Sequence, residues 1–397
     1  MTGAGTVRPF PGTRGGKLRI AVISHIRHPI ARPFMGGMEA HSHMLAGALA
    51  SRGHDVTLFA AGDSRPPENV RLHPIVAEHY DRAFPWHQFH GTDALNDHLD
   101  ASFAGIMPAL REGGFDIIHN NSLHRYPPRQ ARRDRLPMLT SLHVPPFDAL
   151  RRAVHASGAP WNRFTVCSDR QKDVWAEGRD DLPLDVVYNG IDTDAWAFGP
   201  EGDGTAIWFG RITPNKGTGD AVKAARFAGM PLRIYGPVEH RDYFEETVAP
   251  YLGPRIVYGG NIDPAELAQA VARASVCLFT PRWNEPFGLA AVEAMSCGVP
   301  VAAFDAGAVQ EVVGPSGEIV PEGDAAALAR AALRANKMDR QHIRDRAVRS
   351  FGIDAMIDRY EALYAECISQ READMPEPDF AAIELPPHGG ATALAAE

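Results

Sequence analysis

The chain has 397 residues, 45% of them hydrophobic and 22% charged, enough for two domains whose cores need neither disulfides nor a metal. Its 40 basic and 49 acidic residues leave a net charge of −9, which argues against a broad nucleic-acid footprint. The four cysteines form no C-x-x-C pair and read as reduced thiols of a cytoplasmic protein, and there is no run of ~18 apolar residues to span a membrane.

Residues 1–16, rich in Gly, Pro and Arg, read as a disordered arm without the apolar run of a secretory signal. LRIAVIS (18–24) is an apolar, β-branched run, as expected of a strand buried on both faces. A loop with Gly36-Gly37 follows, then a helix from about Met38 to Arg52 that Gly53 is placed to stop. DVTLFA (55–60) is the second strand, and DIIH (116–119), PMLTSLH (137–143), RFTVCS (163–168) and DVVYN (185–189) continue the series. Such alternation predicts a doubly wound parallel α/β sheet. After the Gly/Asp-rich stretch 189–204 the pattern restarts with TAIWFG (205–210), PLRIYG (231–236), RIVYGG (255–260), SVCLFT (275–280) and VPVAAF (299–304). Helices are expected near 217–228, 264–273 and 288–297. A last helix over 351–367 puts Phe351, Met356, Ile357, Tyr360, Leu363 and Tyr364 on one stripe. The chain thus divides into Rossmann-like domains at 17–192 and 193–350, a helix at 351–370 and a disordered tail at 371–397. Open parallel sheets bind ligands beyond the carboxyl ends of their strands, so two such edges in opposition make a cleft.

The loops after strands are therefore where chemistry is sought. In TPRWNEPFGLAAVEAMSCGVPVAAF (280–304) a strand ends at Thr280, a loop carries Glu285, and a helix opens at Gly288. Free N–H groups at that helix start suit a phosphate. Glu293, eight residues after Glu285, offers two acceptor oxygens to a cis-diol such as a ribose. Its neighbours Val292 and Ala294 are apolar, and a carboxylate in so apolar a helix needs a partner. FGRITPNKG (209–217) brings Arg211 and Lys216 together around a turn-forming Pro-Asn. Two cations there fit a diphosphate; alone the pair reads rather as a solvated surface, and it is the Glu285/Glu293 segment beside it that makes the signal strong. No Walker loop is present, and no G-x-G-x-x-G follows the first strand, so a triphosphatase and a dehydrogenase are both disfavoured.

Taken together these segments resemble the retaining glycosyltransferases of family 4, also called group 1, with the GT-B fold. The G-R-x4-K-G loop is present as Gly210 to Gly217, and the E-x7-E motif as Glu285 and Glu293. Further matches are Gly36-Gly37-x-Glu39, RGHDV (52–56), DIIHNN (116–121), TSLH (140–143), VVYNGID (186–192) and EAMSCGVPV (293–301). The resemblance implies two Rossmann-like domains facing a cleft, the first for the acceptor and the second for a nucleotide sugar, with the last helix crossing back to the first. It implies that Arg211 and Lys216 grip the diphosphate and Glu293 the ribose. Glu285 and the amides of Phe287, Gly288 and Leu289 would hold the sugar hydroxyls and distal phosphate, with Gly36 and Gly37 approaching the leaving phosphate from the first domain. It further implies front-face attack with retention, the leaving phosphate helping to deprotonate the acceptor. No Asp-x-Asp follows a strand in a suitable place, so no obligatory metal and no resident cofactor are expected.

His119, Asn121 and His143 stand at first-domain strand ends. Many relatives carry a histidine where Asn121 stands. His119 and Asn121 are read as lying on the acceptor side, and His143 as touching donor sugar or acceptor, against a strand-end histidine bonded to backbone. The His- and aromatic-rich stretch 63–103 fits no zinc spacing and is read as lining an acceptor groove. Seven arginines over 125–135 and 151–152 would meet a phosphorylated acceptor or the inner membrane face, or else form a solvated surface with nearby acids. The expected activity is transfer of a hexose from a UDP-glucose-like donor to a small-molecule, glycan or lipid-linked acceptor. The alternatives are an epimerase or hydrolase of the same fold, or a non-catalytic nucleotide-sugar binder.

Overall fold

The computed structural model describes residues 16–374. The arm and most of the tail read from the sequence lie outside them. Residues 371–374 are helical and belong to the last helix, Ile353–Asp374.

The first sheet has seven parallel strands: β1 (Arg19–Ile23), β2 (Asp55–Ala61), β3 (Val70–Val76), β4 (Ile117–Asn120), β5 (Met138–Leu142), β6 (Asn162–Val166) and β7 (Leu184–Val186). Their order is β3-β2-β1-β4-β5-β6-β7. The second sheet has six: β8 (Ala206–Phe209), β9 (Leu232–Tyr235), β10 (Ile256–Tyr258), β11 (Val276–Phe279), β12 (Val301–Phe304) and β13 (Gly317–Val320), in the order β10-β9-β8-β11-β12-β13. Central strands are apolar throughout because both faces are covered. In β1, Ile20 and Val22 pack under the helix Gly37–Ser51, while Ala21 and Ile23 pack under helices Asp93–Gly105 and Met107–Glu112.

Two edge strands escape the sequence reading. β3 contains Pro74 and pairs with β2 across a register shift at Ala60/Ala61. Proline is tolerated at such an edge, and the alternation that marks a strand is lost. Part of the presumed acceptor groove is therefore sheet: His73 lies on the Phe59 ring with centroids 4.3 Å apart. β13 reads GEIV after a Gly-Pro-Ser turn, so only its last two residues are apolar and no apolar run announces it.

The crossover helix begins at Ile353, and Phe351 ends a separate helix, Arg340–Phe351. The expected stripe splits accordingly. Met356, Ile357, Tyr360, Leu363 and Tyr364 are buried against the first sheet, whereas Phe351 joins the second-domain core beside Phe287. The RGHDV segment anchors the crossover: Arg52 bonds Asp354 at 2.9 Å, Asp358 at 2.5 Å and Glu361 at 3.0 Å, and His54 bonds Glu361 at 2.9 Å. All four cysteines are buried free thiols. Among the described residues no helix is long and apolar enough to cross a membrane.

Candidate active site

The loop after β11 and the loop after β8 meet. Lys216 Nζ donates to Glu285 Oε2 at 2.8 Å, and Trp283 Nε1 donates to the same oxygen at 2.7 Å. The ammonium stands 5.1 Å from the Trp283 ring centroid, and Glu285 is only 6% exposed. A buried carboxylate needs such partners. Gly217, at φ +68°, lies so close to the Thr280 carbonyl that a Cβ would stand 2.1 Å from its oxygen, which brings the two loops together.

Gly288 starts the helix Leu289–Ser296 at φ +98°, and a Cβ there would lie 3.0 Å from the Phe279 ring. The carbonyl just before this turn is held from the first domain. Ser168 Oγ donates to Pro286 O at 2.7 Å, and Cys167 Sγ approaches the same oxygen at 3.4 Å. Glu311 of the second domain accepts from the backbone N–H of Asp169 at 2.8 Å. Opposite the helix start is Gly37: a Cβ on it would come within 4.0 Å of Leu289 Cδ1. The Gly36-Gly37 loop, read from sequence as a second approach to a phosphate, thus lies against the Leu289 side chain at the helix start. Behind it Glu39 is 3% exposed and lies 3.2 Å from His25 Nε2.

Glu293 stands apart from this cluster, partly buried one helical turn along. Burial alone pushes its carboxyl up to about 7. Arg211 is exposed, and its guanidinium pairs with Glu239 at 3.0 Å.

On the first domain the structure corrects the reading of His119. That ring is fully buried, with Nδ1 2.6 Å from the Tyr364 hydroxyl and Nε2 near Asn121 Oδ1 at 3.1 Å and Ser141 Oγ at 2.9 Å. It cannot face an acceptor, because the crossover helix covers it. Asn121 is buried too, and its Oδ1 accepts from His143 Nε2 at 3.2 Å. Of the three only His143 is partly exposed, with the His41 ring 4.3 Å away. Burial pushes His41 and His119 down to about 3, and with His41 and His25 nearby it holds His143 well below its ordinary value. All three are neutral at physiological pH.

Trp283, Ser168, Glu311 and His41 were not foreseen as site residues. Trp283 stood in the quoted motif, two residues before Glu285, so its position was the available signal. Ser168 and Glu311 matter only through contacts across the cleft. The arginines of 125–135 and 151–152 are largely committed: Arg125 pairs with Asp100, Arg133 with Asp134 and Arg151 with Glu177, while Arg132 lies over Trp161. Among the described residues no group of three or more His, Cys, Asp or Glu side chains is placed to hold a metal.

Two parallel sheets meeting edge to edge, with the second sheet's loops gripped from the first, define the GT-B class of glycosyltransferases. The chain belongs to glycosyltransferase family 4: the profile described as Glycosyltransferase Family 4 matches residues 35–195, and that described as Glycosyl transferases group 1 matches residues 203–337. It is similar to the glycogen synthase of Mycobacterium tuberculosis, with 27% identity over 362 residues, 79% of this chain and 85% of that protein. It is similar also to the phosphatidyl-myo-inositol mannosyltransferase of Mycobacterium leprae, with 28% identity over 88% of this chain and 92% of that one. In structure it resembles HepE of Anabaena, solved in complex with UDP and glucose, with a TM-score of 0.65, 20% identity, and coverage of 87% and 98% of the two chains. The protein is accordingly a glycosyltransferase using a nucleotide-sugar donor, and the epimerase, hydrolase and non-catalytic alternatives fall away.

Proposed function

We propose that the protein moves a hexose from a nucleotide diphosphate sugar, UDP-glucose as first choice, to a hydroxyl of a small-molecule, glycan or lipid-linked acceptor. The reaction retains anomeric configuration and uses neither a metal nor a resident cofactor. The observation that carries this reading is the convergence of Lys216, Glu285 and the Gly288 helix start opposite Gly37. The HepE complex with UDP and glucose supports the choice of donor.

In this reading Lys216 and the amides of Phe287, Gly288 and Leu289 hold the diphosphate. Gly36 and Gly37 allow backbone to approach the β-phosphate from the other side. Negative charge grows on that phosphate as the sugar leaves, and donors fixed beforehand stabilise it most in the transition state. Glu285 holds sugar hydroxyls, Glu293 accepts from the ribose diol, and Arg211 reaches the phosphate by leaving Glu239. The acceptor hydroxyl attacks the anomeric carbon from the face the leaving group departs, and its proton passes to the departing phosphate oxygen. His143, neutral, bonds sugar or acceptor, braced by Asn121 and, behind it, by His119. The first domain, 17–192, presents the acceptor and the second, 193–350, the donor. The enzyme works in the cytoplasm, where its uncommitted arginines contact the inner membrane face.

A thermal-shift panel of UDP, GDP, ADP and their hexose conjugates tests the donor, since a ligand bound only by the native state raises Tm. NMR of the glycoside formed, with and without EDTA, tests retention and metal independence. An inverted product, or activity lost to EDTA, would overturn those parts.

A further inference from the structure

Glu285 divides the work of its two oxygens. Oε2 accepts from both Lys216 Nζ and Trp283 Nε1, at 2.8 and 2.7 Å. Among the described residues no hydrogen bond or ion pair reaches Oε1. The backbone at Glu285 is held as firmly. Ala308 N donates to its carbonyl at 2.9 Å, Gly307 packs against its N and O, and Arg282 N donates to Asn215 O at 2.8 Å. The two donors differ in kind. Lys216 is a mobile point charge on a four-carbon stem, free to turn toward a phosphate. The indole is a rigid ring with one N–H and no charge to follow a phosphate.

Resting on the donor reading above, we propose that Trp283 is the positioning residue that fixes Glu285 for sugar recognition. When the diphosphate draws Lys216 away, the indole N–H stays on Oε2 as the only remaining donor. It keeps a buried carboxylate partnered and turns the unoccupied Oε1 toward the donor sugar's hydroxyls. Trp283 touches neither sugar nor phosphate in this role. It sets sugar discrimination through Glu285 and leaves nucleotide affinity to Lys216 and the helix start.

Trp283→Phe removes the N–H and keeps an aromatic ring under Lys216, and Trp283→His restores a ring N–H. The test measures Kd for UDP, GDP and ADP by calorimetry, then kcat and KM for the glucose and galactose conjugates of whichever binds. Expected for Trp283→Phe are nucleotide Kd within about twofold, kcat lowered about 10- to 100-fold, and the preference between the two epimers narrowed about tenfold. Trp283→His is expected to recover part of the epimer preference. Unchanged kcat and epimer preference in Trp283→Phe would overturn the proposal. So would a parallel loss of nucleotide affinity and Tm, the mark of a purely structural role. Wild-type protein that binds none of the nucleotides or conjugates would remove the donor reading, and this inference with it.

Discussion

The two sheet edges that face the cleft are built on opposite electrostatic terms. The second-domain edge is charged: Lys216 on Glu285, Glu293 with no paired cation among the described residues, and a helix start opened by a positive-φ glycine. At the first-domain edge His41, His119 and His143 are held uncharged by burial, Asn121 links His119 to His143, and the buried charge is that of Glu39 beside His25. One edge is prepared to meet charge. The other holds shape, and it takes that shape from the crossover helix through Tyr364 and Tyr360. Donor binding and acceptor placement thus rest on different physics within one cleft.

That contrast can be broken by mutation. The largest effect is expected for Lys216→Ala, which strips a buried carboxylate of its cation and the phosphate of its partner. It should lower kcat/KM about 100-fold or more by steady-state kinetics. Arg211→Ala, whose exposed guanidinium must leave Glu239 to reach the phosphate, should lose less, and equal losses would show that this pairing costs donor binding nothing. Tyr364→Phe should cost about 1–3 kcal/mol in denaturant unfolding, because it leaves His119 Nδ1 buried without a donor. Nucleotide Kd should stay within twofold, and a large change would erase the distinction between the edges.

A pH titration sharpens the contrast further. Folding raises the Glu293 carboxyl from 4.5 to about 7, so the folded state binds this proton more tightly than the unfolded chain. Its contribution to stability is full below about pH 4.5 and is lost as pH rises toward 7. A ribose diol prefers the carboxylate, so donor affinity should fall as pH drops below 7, by up to about tenfold per unit, and Glu293→Gln should flatten that slope in calorimetry. The smallest effect on activity is expected for Ser168→Ala, which removes one hydrogen bond between the domains and, with it, the N-cap bond from Gln171 N, about 1–2 kcal/mol by thermal unfolding.

Much of this architecture was legible beforehand because it is written locally. β-branched runs such as RIAVI mark strands buried on both faces, and Gly288 marks a turn that only glycine enters without strain. The donor loops could be placed because motif residues lie within a few positions of each other. β3 was missed because Pro74 and a register shift break the alternation that would announce it.

By itself, then, the chain's order of residues determined the two parallel sheets, the loops that face the cleft and the family. The sheets and loops follow from side-chain periodicity and turn chemistry, which act between near neighbours, and the family from the resemblance its motifs carry. Tertiary structure alone decided which charges meet. Lys216 finds Glu285 69 residues away, His119 is sealed by a tyrosine 245 residues later, and Arg211 pairs with Glu239 28 residues on. Such pairings depend on how packed elements bring distant positions within hydrogen-bond reach, and no local pattern encodes that distance.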